Sequence, residues 1–358
     1  MLRHPAPQAL LVAAALLAGW PASAKEAPSA LTAEAVNGAT LSEAGQPSKD
    51  EGGKADEAKR KRDKAAERAP DPLTVKVQVL LDRARFSPGA IDGRRGDSYR
   101  TALKTYAAAQ GLPESDTPSP DLLARLDAGG PTIVDYTLTE ADVAGPFVEK
   151  IPKKLEDQAD LDALGYASAR EMLAERFHMR PELLDALNRD KPLDKAGTVI
   201  SVAGIAPMTR DKPKDLPRAP KVTRVLVEKE SRVLKAFDGE GKLVAAYPAS
   251  IGSEDKPAPS GKAKVTGIAF DPVYTYDPKY KFKGVTAKEK FQVKPGPNNP
   301  VGLVWIDLSV PSYGIHGTPE PEKVGKTESH GCIRLTNWDV RDLAMHVSRG
   351  AEVVFEEK

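Results

Sequence analysis

The chain has 358 residues, 40% of them hydrophobic, which is enough for two or three domains and at least one full core. Its formal net charge is +1, so no global field draws it to nucleic acid, and a nucleic-acid partner is not expected. Cys332 is the sole cysteine, which excludes an intrachain disulfide.

Residues 1–24 have the three parts of a secretory signal: Arg3 and His4, the apolar run 9–18, and Ala22-Ser23-Ala24 as cleavage site. The apolar run is well short of the roughly 20 residues that span a bilayer. No membrane anchor is therefore expected after cleavage, and the mature chain is expected in the periplasm or cell envelope. Residues 25–70 are rich in Ala, Lys, Glu, Gly and Pro and lack aromatics, the composition of a disordered tether.

From Leu73 a helical period appears through Val77, Leu80, Leu81 and Ala84. A second helix carries Tyr99, Ala102, Leu103, Tyr106 and Ala107, and a third starts at Ser119 and Pro120. Together they predict a small helical domain over residues 71–128. Residues 129–206 predict a mixed α/β module. A strand around Tyr136 precedes two helices, one with Met172, Leu173 and Phe177 and one from Pro181 to Asn188, and a strand at 196–202 closes it. The proline-rich stretch 207–220 reads as a linker.

Beyond it, residues 221–358 turn β-rich, with strands at 222–227, 232–237, 242–247, 304–309 and 350–355. Asp238-Gly-Glu-Gly241 marks a hairpin. One late helix has Thr336 and Asp339 in a capping-box pattern, with an apolar stripe of Val340, Leu343, Ala344 and Val347. His346, near its C-terminus, reads as a surface residue complementing the helix dipole. The fold class expected is multidomain α+β, ending in a mainly β, sandwich- or barrel-like domain with that helix.

The chemistry concentrates in this last domain, which holds His316, His330, His346 and Cys332. An unperturbed thiol has a pKa of about 8.5, so a nucleophilic cysteine needs a base or cation, oxyanion donors and room for close approach. Gly331 leaves that room, and the Gly331 and Cys332 amides are the candidate oxyanion donors. Arg334 falls on the same side of an extended segment as Cys332 and is suited to a substrate carboxylate. Either His316 or His330 could be the base on spacing. Zinc is the rival reading of these groups. No second Cys, H-x-x-x-H or acidic cluster accompanies them, so neither a metal nor another cofactor is expected. The Tyr-, Lys- and Pro-rich stretch 270–300 is too long for a hairpin loop and reads as a lid, with Tyr274 and Tyr276 as substrate-binding candidates beside Tyr280 and Lys281-Phe-Lys283.

The pattern His316-Gly-Thr followed by Ser329-His-Gly-Cys-Ile-Arg-Leu-Thr-Asn337 resembles the active-site signature of the L,D-transpeptidase catalytic-domain family. Pro259-Ser-Gly261 and Gly296-Pro-Asn-Asn-Pro-Val-Gly302 resemble segments that precede it there, and the likeness covers about residues 221–356. The resemblance implies a cysteine enzyme acting on peptidoglycan. Cys332 attacks the amide after the third residue of a tetrapeptide stem, D-Ala leaves, and the acyl group passes to an amine. It further implies His316 as general acid/base, oriented by the Gly317 carbonyl, with Ser329, His330, Gly331 and Arg334 completing the motif. Water as acceptor would give an L,D-carboxypeptidase, and a protein lysine would give attachment of that protein to the wall. A non-enzymatic wall-binding protein is the remaining rival. The run Phe86-Ser-Pro-Gly-Ala-Ile-Asp-Gly-Arg-Arg-Gly-Asp97 resembles a small peptidoglycan-binding domain. The β-α-α-β order of 136–206 resembles a LysM glycan-binding module carrying an insertion between Tyr136 and Ala169.

Overall fold

The computed structural model describes residues 31–41, 69–127, 129–211, 213–253, 256–280, 285–327 and 331–356. The expected signal segment, most of the tether, Lys281-Phe-Lys283, Ser329 and His330 lie outside them. Among the described residues no helix is long and apolar enough to cross a membrane.

Residues 31–41 depart from the expected tether. Helix α1 (Ala33–Gly38) is N-capped by Thr32, and Val36 is fully buried. Leu31, Val36 and Leu41 are the only branched apolar side chains between residues 25 and 70. Burying the first two gives this short piece what the charged run after it lacks.

Helices α2 (Pro72–Arg83), α3 (Asp97–Ala109) and α4 (Pro120–Leu126) follow. Asp71 and Ser119 cap α2 and α4, each ahead of a proline at the first helical turn. Helix α2 is apolar on two sides. Val77, Leu80 and Leu81 join α3 and α4 in one core, while Val75 and Val79 enter the core of the next segment. That segment pairs strands β1 (Ile133–Thr137) and β2 (Val199–Ala203) antiparallel. Between them lie α5 (Glu140–Ala144), α6 (Leu155–Gln158), α7 (Ala169–Arg176) and α8 (Pro181–Leu187).

The β-rich part builds one nine-stranded sheet. Its strands are β3 (Val222–Glu228), β4 (Val233–Phe237), β5 (Leu243–Pro248), β6 (Ser250–Ile251) and β7 (Gly261–Phe270). After the small hairpin of β8 (Tyr274–Tyr276) and β9 (Phe291–Val293) come β10 (Val304–Leu308), β11 (Gly314–His316), β12 (Ile333–Arg334) and β13 (Val347–Glu356). The order is β5-β4-β3-β13-β7-β10-β11-β12-β6. Strand β7 pairs with β13 through residues 261–264 and with β10 through residues 265–270. One long strand thus carries the sheet around, barrel-like, over a core that includes Val225, Leu234, Ile306, Ile315 and Ile333. Helix α9 (Asn337–His346) contributes Val340, Leu343 and Ala344 to it.

The parts share surfaces. Residues 85–87 lie along β5, with Ser87 N donating to Ala246 O at 2.8 Å and Ala246 N to Arg85 O at 2.9 Å. This covers the sheet edge that β5 would otherwise expose. Val233 and Ala246 of the sheet belong to the core of α2, α3 and α4.

Two late-helix expectations are corrected. Thr336 accepts from Asp339 N at 3.0 Å, but the Asp339 carboxylate does not return to cap Thr336. It turns inward to a buried triad. His178 Nδ1 lies 2.8 Å from Asp82, and its Nε2 lies 3.9 Å from Asp339, with Thr336 Oγ1 at 3.3 Å. Burial alone would push the imidazole down; the Asp339 and Asp82 charges outweigh it and raise it. Burial pushes Asp339 up to about 6 against the pull of His178. The triad ties α2, the α7–α8 connection and α9. His346 is not a cationic surface cap either. It is half-buried against Pro220 O, and burial lowers its pKa.

A second acid, the half-buried Glu175, accepts from Tyr166 Oη at 2.8 Å and from Asn337 Nδ2 at 3.0 Å. Burial still pushes it up, from 4.5 to about 7. The raised value means that folding disfavours the ionised form, so stability is lost as pH rises from 4.5 through about 7. Glu175→Gln removes that loss. Its stability gain over wild type is expected to grow by about 3 kcal/mol from about pH 4 to about pH 8, read by urea unfolding. A gain independent of pH would contradict this assignment.

Candidate active site

Strand register assembles the site. Strands β11 and β12 run parallel, with Ile315 opposite Ile333 and His316 opposite Arg334. Opposed residues in a sheet share a face, and faces alternate along a strand. Ile315 and Ile333 are fully buried in the core. The other face therefore takes His316, Arg334 and, one step earlier, Cys332 beside Gly314. On strand β10, Trp305 pairs with His316, and its ring stacks on the imidazole at 5.5 Å and 18°.

His316 is 7% exposed, and its Nδ1 lies 2.7 Å from the carbonyl oxygen of its own neighbour, Gly317. A carbonyl only accepts, so Nδ1 carries the hydrogen and Nε2 is left with a lone pair. Burial pushes the imidazole down to about 4, opposed by the Gly317 bond and assisted by Arg334. At neutral pH the ring is an uncharged base.

Gly317 is fixed from behind. A Cβ there would meet Asn337 Oδ1 at 2.2 Å, and one on Gly302 would meet it at 2.0 Å. Asn337 is buried; its Oδ1 accepts from Leu303 N at 3.0 Å, and its Nδ2 donates to Pro297 O and Glu175, both at 3.0 Å. Asn337→Ala leaves a buried N–H and two acceptors short of partners, at about 1–3 kcal/mol each. Unfolding free energy is expected to fall by about 3 kcal/mol or more in urea titration, and turnover to fall as Gly317 loosens. A variant as stable as wild type would remove Asn337 from this role.

Cys332 is half-buried, with Sγ 3.9 Å from Ser312 O. Burial pushes the thiol up, against a backbone hydrogen bond to Gly314 and the charges of Arg334 and Lys256. The resting pair is thus neutral thiol and neutral imidazole. Gly331 has φ +121°, a conformation closed to side chains, which calls for glycine before Cys332 for backbone reasons. Arg334 is half-buried, and its Nε has no hydrogen-bond partner among the described residues.

Two sequence candidates from the 270–300 stretch separate. Tyr274 is half-buried and pushed up to about 12, by burial first and by proximity to Cys332 second. Tyr276 is 2% exposed and stacks on Phe291 at 4.8 Å, so its ring braces the β8–β9 hairpin. Three neighbours of the site escaped sequence reasoning. Trp305, Tyr313 and Lys256 lie on separate strands or loops, and no motif spacing marks them. The Tyr313 hydroxyl is buried without a hydrogen-bond partner among the described residues, in electrostatic reach of Cys332.

The cluster of His and acidic side chains close enough to share an ion, among the described residues, is Asp82, His178 and Asp339. Its two carboxylates lie toward opposite ring nitrogens, Asp82 at hydrogen-bond distance and Asp339 at 3.9 Å as a longer charge contact. His316 and Cys332 stand apart from it.

Residues 222–355 match the family model described as YkuD, the L,D-transpeptidase catalytic domain. The L,D-transpeptidase-family protein YkuD of Bacillus licheniformis is 32% identical over 130 residues, 36% of this chain and 63% of its own length. YqjB of Bacillus subtilis, of the same family, is 32% identical over 139 residues, 37% of this chain and 70% of its own. The chain thus spans less than two thirds of YkuD. The crystal structure of L,D-transpeptidase 3 from Mycobacterium tuberculosis aligns with 47% of this chain and 78% of that one, at 15% identity and a TM-score of 0.32.

Proposed function

We propose that this chain, which belongs to the L,D-transpeptidase catalytic-domain family, is an exported cysteine L,D-transpeptidase that forms 3-3 cross-links in peptidoglycan. The observation that carries the reading is the parallel β11–β12 pair, which sets His316 and Cys332 on one face with Gly317 O holding Nδ1 at 2.7 Å.

In the proposed reaction His316 Nε2 takes the thiol proton as Sγ attacks the carbonyl carbon of the stem's third residue. The Gly331 and Cys332 amides receive the developing oxyanion. The C–N bond breaks, the imidazolium returns its proton to the leaving D-Ala amine, and a thioester remains on Cys332. A second amine then gives its proton to His316, attacks the thioester and releases the thiol. Arg334 holds a substrate carboxylate, Tyr274 borders the entry, and the β8–β9 hairpin is the lid. Ser329 and His330 complete the sequence motif before the nucleophile. Action on peptidoglycan places the enzyme in the cell envelope.

The test is incubation of the full chain with disaccharide-tetrapeptide and mass spectrometry of the products. Cross-linked dimers support transpeptidation. Tripeptide alone would replace it with L,D-carboxypeptidase activity, and no product from a protein with a reactive thiol would remove peptidoglycan as substrate.

A further inference from the structure

Gly317, whose carbonyl holds His316 Nδ1, is reached from a part of the chain far from Cys332. Asn337 is the link. Its Oδ1 stands where a Cβ on Gly317 or Gly302 would lie, and it accepts from Leu303 N at 3.0 Å. Its Nδ2 has two hydrogens and two acceptors, Pro297 O and Glu175 Oε2, both at 3.0 Å. Pro297 and Leu303 belong to the β-rich part. Glu175, on α7, comes from the middle segment.

The Glu175 carboxylate is itself fixed, because Tyr166 Oη donates to its other oxygen at 2.8 Å. The same segment grips the loop beneath Asn337. Leu164 N donates to Pro295 O at 3.0 Å, and Asn298 N donates to Leu164 O at 3.0 Å. Asn298 Nδ2 donates to Gly165 O at 2.9 Å and to Glu171 Oε1 at 2.8 Å. Residues 295–302 are thus held by the middle segment at one end and packed on Gly317 at the other.

Each step from Glu175 to the imidazole is a hydrogen bond or a close packing contact: Glu175 to the Asn337 amide, the amide to Gly317, and Gly317 O to Nδ1. A held Nδ1–H keeps the lone pair on Nε2, where the thiol proton must go. Without its Glu175 acceptor, one Asn337 N–H is left unpaired, and the amide turns to find another partner. A shift of about 1 Å passed to a reacting group can cost about 10²-fold in rate.

We propose that Glu175 is a positioning residue for His316, fixing from the middle segment the Asn337 amide that holds the Gly317 carbonyl on Nδ1. The middle segment is then part of the working site. The effect on turnover rests on the acyl-transfer reading above; the effect on the imidazole does not.

The test compares Glu175→Leu, which has no acceptor, with Glu175→Gln, whose carbonyl can still accept from Asn337, in the full chain. Two quantities are read: kcat and KM for the disaccharide-tetrapeptide donor, and the His316 tautomer, from ¹H–¹⁵N spectra of histidine-labelled protein without substrate. Glu175→Leu is expected to lower kcat about tenfold with KM within about twofold, and to convert a single Nδ1–H tautomer into a mixture. Glu175→Gln is expected to restore both. Leu183→Ala, a truncation in the core of the same segment, controls for stability. It is expected to lower the urea midpoint and leave kcat and the tautomer unchanged. Should Glu175→Leu not fold, Tyr166→Phe, which frees the other carboxylate oxygen, decides by the same readouts, with an expected loss of about threefold in kcat. A wild-type tautomer in Glu175→Leu, or an equal loss of kcat in Leu183→Ala, would overturn the proposal. A wild type inactive on the donor would instead remove the acyl-transfer reading, and the tautomer would still decide this one.

Discussion

Replacing Cys332 by alanine is expected to cut turnover of a tetrapeptide donor by more than about a thousandfold, because it removes the proposed nucleophile on which the other groups act. The fold should hardly notice. The side chain is half-buried at the edge of the core, and its Sγ lies 3.9 Å from Ser312 O. A loss of about 1 kcal/mol in unfolding free energy is the scale for so small a truncation. Steady-state turnover and urea unfolding on the same preparation separate the two effects. Turnover surviving in Cys332→Ala would end the cysteine mechanism. An unfolded variant would mean instead that the thiol is a packing residue.

The second large effect concerns His316 and pH. Burial holds its imidazole down at about 4, so the ring stays neutral well into acid. A protonated ring cannot accept the thiol proton, so kcat/KM is expected to fall as pH drops through about 4 and to stay level through neutrality. His316→Asn keeps a polar side chain but no base. It is expected to lower kcat/KM about 10²–10⁴-fold and to abolish the acid limb. Because burial also raises the thiol, alkylation of Cys332 by iodoacetamide should be slow at neutral pH and accelerate only in alkali. Fast alkylation in mild acid would show a thiolate–imidazolium pair and contradict the neutral resting site. A histidine whose pKa is depressed by folding favours the folded state above its ordinary 6.5, and that contribution is lost as pH falls through about 4. Glu175 and Asp339, both raised by burial, act in the opposite sense.

Much of this architecture was legible because its local signals are strong. Pro120 behind capping Ser119 starts a helix where the sequence says it should, and the apolar period from Leu73 marks another. The β-rich runs 222–227 and 242–247 mark strands, the first burying Val222, Val225 and Val227 and the second buried on both sides from Ala245 to Pro248. The order of strands was not legible. Strand β13 lies parallel beside β3, more than a hundred residues earlier, and β12 lies parallel beside β11; no turn residue encodes either pairing. The same limit applies to the site. Cys332, Gly331 and Arg334 stand together in sequence, but the choice of His316 as base rested on a family likeness, and only the β11–β12 register gives it a geometric reason. Trp305 reaches His316 across a strand pair, and Lys256 approaches Gly331 from a loop. Asp339 misled the capping-box reading because tertiary contact with His178 competes with the local cap. The 31–41 stretch misled because two apolar side chains suffice to dock a short helix once a core exists to receive them.

The most direct test of the central claim is intact-protein mass spectrometry of the full chain after brief exposure to a disaccharide-tetrapeptide donor, followed by peptide mapping. One adduct per chain is expected, the donor acyl group without its terminal D-Ala, on the peptide containing Cys332 and absent in Cys332→Ala. An adduct on another residue, or donor consumed with no adduct dependent on Cys332, would contradict it.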